Sequence, residues 1–218
     1  WAEMLNTPVF IHHHKGDMRG KNYTDFPNAE NAAACLKELG AGYTYEFKVY
    51  DGNHFAWLPA ENKDMTEWLL KQKRNPYPKR IVHGSPCAKD FMVEVQPARP
   101  NRWLAIDEIG PDKLEMDGVD QGGTPRIKHK LNMGTLDAAW TAPNTLEVKA
   151  VNVKTFRIFL SPNLLDLKKP LKVTVNGNTV HAGPVKSSLK FLLKYLDERR
   201  DPGMLFVGEV PITVAAGK

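Results

Sequence analysis

The sequence predicts an α/β piece followed by a β-rich domain with one helix. Three observations predict it. An unbroken apolar run, PVFIH at 8–12, precedes a polar loop and an alanine-rich helical stretch. A second strand-like run, YTYEFKVY at 43–50, precedes a second helical stretch. After RNPYPKR at 74–80, with its two prolines, short alternating runs take over.

PVFIH shows no alternation, which suits a strand buried on both faces of a parallel sheet. The loop HHKGDMRGKNYTDFPN follows, and then AENAAACLKELG. There Ala29, Ala32, Ala33, Leu36 and Leu39 recur at helical spacing, Asn28 can cap the start and Gly40 ends it. In YTYEFKVY, Tyr43, Tyr45, Phe47 and Val49 face one way, and Thr44, Glu46 and Lys48 form a wet face. From Pro59 to about Lys73 a helix is expected, with Met65, Trp68, Leu69 and Gln72 on one side. The order strand, helix, strand, helix makes two βα units over residues 1–75.

RNPYPKR reads as the boundary to a β-rich domain over 76–218. Its expected strands lie in RWLAIDEI, NTLEVKAVNV, FRIFL, LKVTVNGNTV and VPITV, with Asn176-Gly177 as a hairpin turn. Ser161-Pro162 opens an expected helical turn. Ser187 or Ser188 caps a helix whose face is Leu189, Leu192, Leu193 and Leu196. A sandwich or small barrel accommodates these elements, with Trp103 and Trp140 in its core.

Composition narrows the function classes. The chain has 218 residues, 42% hydrophobic and 25% charged, with a net charge of +5. No apolar run approaches the roughly 20 residues of a membrane-spanning helix. Lysines and arginines are scattered among acids, with no basic stripe carrying interleaved aromatics, so no nucleic-acid partner is expected. Cys35 falls on a helical apolar face and reads as packing; Cys87 lies in a loop. His12, His13 and His14 cannot converge on one ion while the strand stays extended, so no metal and no cofactor is expected.

Two loops at strand C-terminal ends each carry one ionisable residue, Asp17 in the first and His54 in the second. Open α/β sheets collect their chemistry at that edge. An aspartate bonded to one imidazole nitrogen fixes the tautomer and stabilises the imidazolium when the other nitrogen takes a proton.

HHKGD at 13–17 resembles the His-Gly-x-x-Asp segment after the seventh strand of α/β-hydrolases, and YDGNH at 50–54 resembles their Gly-x-His segment after the eighth. RNPYPKRIV, RWLAID and NVKTFRIFLSP resemble the exit from the hydrolase domain and the appended β domain of bacterial esterases and prolyl-oligopeptidase-like hydrolases. The resemblance implies that residues 1–75 are the C-terminal βαβα piece of an α/β-hydrolase sheet. It implies a serine hydrolase cleaving ester or peptide bonds, with Asp17 as triad acid, His54 as general base, and His14, Phe55 and Trp57 lining the substrate site.

The chain departs from the family in two places. His14 stands where the family has glycine, which leaves Asp25, further along the loop, as the reserve acid. No Gly-x-Ser-x-Gly occurs, and the serines are Ser85, Ser161, Ser187 and Ser188. Ser85 and Cys87, in HGSPC between the domains, are weak nucleophile candidates. The chain opens on Trp1, so it reads as a piece of a longer hydrolase whose upstream portion supplies the nucleophile. Relatives of this type are often exported, which favours a secreted or periplasmic location. The alternative expectation is a non-catalytic module in which the β domain binds carbohydrate or protein beside a degenerate hydrolase remnant.

Overall fold

The computed structural model describes residues 4–16, 25–40, 42–53, 59–86, 100–119 and 125–215. Asp17, His54, Phe55, Trp57 and Cys87 lie outside the described residues. The fold is mixed α/β, mostly strands in several sheets, with three helices among the described residues. The chain divides into two compact units: Trp1–Arg74 with Glu115–His129, and Asn75–Leu114 with Lys130–Lys218.

In the first unit, β1 (Val9–His14) and β2 (Tyr45–Tyr50) pair in parallel, from Val9 opposite Tyr45 to His14 opposite Tyr50. A parallel pair needs a crossover, and α1 (Asp25–Glu38) supplies it. Ala29, Ala32, Ala33 and Leu36 are buried, as their spacing predicts. The helix begins at Asp25, so Asn28 lies inside it rather than capping it. Pro27 is tolerated because first-turn amides have no intrahelical acceptor. Leu39, expected on the buried face, is exposed past the helix end. Then α2 (Pro59–Leu70) follows β2 and stops short of the expected Lys73, leaving Leu69 and Leu70 exposed.

Two further expectations for this unit need correction. β1 continues through His13 and His14, which were expected to open the loop, because the pairing with β2 runs on to Tyr50. The expected wet face of the second strand is partly covered: Thr44 is exposed and the Glu46 and Lys48 side chains are 36% and 37% exposed, while Phe10, Lys48 and Tyr50 meet α2. Phe10 packs against Trp68 at 5.5 Å between ring centroids, and Lys48 and Tyr50 both donate to Asp64.

The other ten elements among the described residues lie wholly or partly in the second unit. Its strands are β3 (Arg80–Pro86), β4 (Leu104–Ile109), β5 (Lys113–Val119), β6 (Pro125–Ala142), β7 (Thr145–Val151), β8 (Val153–Leu160), β9 (Leu171–Val175), β10 (Asn178–Gly183) and β11 (Gly208–Thr213), with α3 (Leu189–Arg199) before the last; β5 and β6 straddle the unit boundary. One sheet runs β10-β9-β7-β6-β3, with β5 also on β6; the other runs β11-β8-β4. Both give side chains to one apolar cluster that includes Trp103, Leu136, Leu146, Phe156, Ile158, Val173 and Phe206. Each fully buried side chain of this size contributes about 1.5 to 3 kcal/mol. β7 shows the pattern: Leu146, Val148 and Ala150 point in, Glu147 and Lys149 point out.

Asn176 and Gly177 turn the β9–β10 hairpin with φ of 49° and 84°, the paired positive values of the tight turn that matches strand twist. Ser188 is the cap of α3, accepting from the Phe191 amide. The buried face of α3 differs from the expected leucine row: Leu189 and Leu193 are 70% and 58% exposed, and Tyr195 is the buried residue. Aromatic partners decide this, since Phe159 and Phe206 lie 5.2 and 5.1 Å from the Tyr195 ring. Ser161-Pro162 opens the expected helical turn, with Leu164 N and Leu165 N both donating to Ser161 O. HGSPC does not lie between domains as expected: His83 to Pro86 belong to β3, paired with β6 from Leu136 to Met133.

Candidate functional site

Where β1 and β2 end, their loops are joined by main chain. Lys15 N donates to Tyr50 O at 3.0 Å and Gly16 N donates to Gly52 O at 2.9 Å. Gly16 is required by this approach, because a Cβ there would sit 2.6 Å from the Gly52 oxygen. Lys15 Nζ bonds Asp51 Oδ1 across the same junction at 2.8 Å and holds the Asp51 carboxyl below the usual range. Asp17 follows Gly16 in sequence, and His54 stands two residues after Gly52. His14 takes no turn conformation, since it is not among the described residues with positive φ; the turn begins after it, at Lys15.

Beneath this junction lies a buried polar cluster that sequence reasoning missed. Glu61, in the first turn of α2, is 3% exposed. Its Oε1 is bonded by His14 Nε2, and its Oε2 lies 3.6 Å from His12 Nδ1. Against an ionised carboxylate, His14 Nε2 must carry the proton, which fixes that tautomer. His14 was expected to line a substrate site; here the residue is 8% exposed and its ring is engaged by Glu61. His12 Nδ1 is buried and makes no hydrogen bond.

One helical turn on, Asp64 Oδ2 accepts from Lys48 Nζ at 3.0 Å and from Tyr50 Oη at 2.9 Å. The Lys48 bond, with help from Tyr50, lowers the Asp64 pKa, and Asp64 raises that of Lys48. Burial, aided by the Asp64 bond, pushes the Tyr50 phenol up to about 12. The signal was present: acids at 61 and 64 share a helix face, and His12, His14, Lys48 and Tyr50 are all even strand positions.

Asp25 opens α1, but its side chain is outside those described. Ser85 is buried in β3, opposite Gly134, on no strand-to-helix turn. Among the described residues no group of three His, Cys, Asp or Glu can hold a metal ion. No helix among them is long and apolar enough to cross a membrane. No family model, curated protein or solved structure matches the chain.

Proposed function

We propose that the chain carries the acid–base half of a serine hydrolase acting on ester or peptide bonds. In this reading His54 takes the proton from an attacking serine and returns it to the leaving group, and Asp17 orients the ring. The serine and the oxyanion-binding amides belong to a segment upstream of Trp1. One observation supports the reading above others: the Gly16–Gly52 bond ties together the two strand-end loops that lead into Asp17 and His54. Such a couple needs its members on neighbouring strand ends, far apart in sequence.

The test uses the full gene product and a serine-reactive fluorophosphonate, with ester hydrolysis followed in parallel. His54→Ala abolishes labelling, and Asp17→Asn lowers turnover by about 10⁴-fold, the cost of a wrongly held imidazole. Labelling undiminished in His54→Ala ends the proposal. A tenfold or smaller loss in Asp17→Asn removes Asp17 and leaves Asp25 to be tried.

A further inference from the structure

We propose that the cleft between α3 and the β11-β8-β4 sheet binds a neutral carbohydrate. The inference lies wholly in the second unit and stands independently of the hydrolase reading.

The cleft is about 650 Å³ and open, within the range of small-ligand sites. Its floor is β8. Arg157 and Phe159 lie two residues apart on one strand face, with the guanidinium carbon 5.6 Å from the Phe159 ring centroid. Arg157 is held from both sides: Nη2 meets Asp107 at 2.8 Å and Nη1 meets Glu209 at 3.0 Å. Its other wall is α3, which gives Phe191, Lys194, Tyr195, Glu198 and Arg199. Phe191 and Tyr195 stack at 6.1 Å and continue the aromatic surface from Phe159.

Two polar groups in this wall lack the partners their burial demands. The Tyr195 hydroxyl and Arg199 Nη2 are buried and make no hydrogen bond, and Tyr195 is only 5% exposed. Leaving such a group unpaired costs about 1 to 3 kcal/mol. The hydroxyl is not needed for packing, since phenylalanine would fill the Tyr195 ring position.

Charge selects the ligand class. Arg157, Lys194 and Arg199 line the cleft against Glu198 and Glu209, and Asp107, outside the lining, pairs with Arg157, so the group as a whole is balanced and favours neither anions nor cations. It offers fixed acceptors, fixed donors and an aromatic surface together. A sugar ring matches all three: its hydroxyls donate to carboxylates and accept from guanidinium and phenol, and its C–H face lies on an aromatic ring. Neighbouring ring hydroxyls suit the parallel geometry of a carboxylate or guanidinium fork.

The full chain, labelled with ¹⁵N, is titrated with xylohexaose, cellohexaose, mannohexaose and the hexamer of galacturonic acid. At least one neutral hexamer shifts the amides of Phe159, Tyr195 and Arg199 saturably in the millimolar range or below. Glu198→Gln, isosteric and exposed, weakens that binding about tenfold by removing a charged acceptor. Arg199→Ala weakens it as much, and Lys168→Ala, outside the cleft, leaves it unchanged. The proposal is overturned if no neutral hexamer shifts these amides, if the acidic hexamer alone does, or if Glu198→Gln binds as the parent does.

Discussion

The Gly16 amide and the Gly52 carbonyl meet at 2.9 Å, and this one main-chain bond joins the loops that follow β1 and β2. Both positions are glycine, and only Gly52 has a positive φ, 141°. Gly16 is glycine for space.

That distinction makes a prediction. In Gly16→Ala the new methyl carbon would start 2.6 Å from a backbone oxygen, which cannot rotate away. The loops must part, at a cost of about 1 to 3 kcal/mol by the usual overpacking penalty. Urea denaturation checks it. An unchanged midpoint means the two loops are not held together in solution. If the proposed catalytic couple is real, the full-length variant also loses esterase activity beyond what its stability loss explains.

Glu61 gives the second. It is bonded to His14 Nε2 and lies 3.6 Å from His12 Nδ1. Glu61→Ala strands the buried His14 imidazole and costs about 3 kcal/mol. Glu61→Gln keeps a carbonyl oxygen for His14 and loses about half as much. The order Ala worse than Gln, read from denaturation midpoints, is the outcome that matters. Equal losses would show that the side chain only fills space.

Much of the fold was legible because hydrophobic period and turn chemistry act locally. Ala29, Ala32, Ala33 and Leu36 sit where their spacing puts them, Ser188 caps α3, and Asn176-Gly177 turns its hairpin. What escaped depends on partners remote in sequence. Leu193 is as apolar as the residues buried beside it, yet α3 turns Tyr195 inward, because Phe159 and Phe206 await an aromatic ring there. β6, eighteen residues long, has no clean alternation to announce it; β3 and β7 hold its C-terminal half in place. In the candidate site, the two loops could be named from strand ends. Glu61 could not, because an acid in a helix's first turn reads as a favourable dipole contact until the strand histidines are seen opposite it.

Asn144 is another residue whose role was invisible in sequence, and it makes the third prediction. It is 6% exposed with φ of 54°. Its Nδ2 donates to the carbonyls of Asp166 and Lys169 at 2.8 and 3.1 Å, and its Oδ1 accepts from Asp166 N at 2.8 Å. One side chain thus holds the 161–170 turns against the start of β7. Asn144→Ala loses these bonds and strains a left-handed backbone, costing about 3 kcal/mol. Asn144→Gly removes only the bonds and costs less. Asn144→Asp is the worst of the three, since its carboxylate faces carbonyl oxygens. A reversed order of Ala and Gly would contradict the backbone argument.

Tyr195 carries the last prediction, which concerns pH. Burial pushes its phenol up to about 12, from an ordinary value of 10.0. A raised folded pKa means that the folded state holds its proton longer than the unfolded one. Below pH 10 both states are protonated and the stability is fully present. Between pH 10 and about 12 the unfolded chain ionises first, so stability falls as pH rises through that window. Tyr195→Phe removes the group and with it this part of the decline. The same change deletes a buried hydroxyl that has no partner, so at pH 7 the variant gains about 1 kcal/mol rather than losing any. Urea midpoints of parent and variant at pH 7 and pH 11 test both halves. If the variant is less stable at pH 7, the hydroxyl has a partner in the folded protein, and the unpaired donor invoked for sugar binding is lost with it.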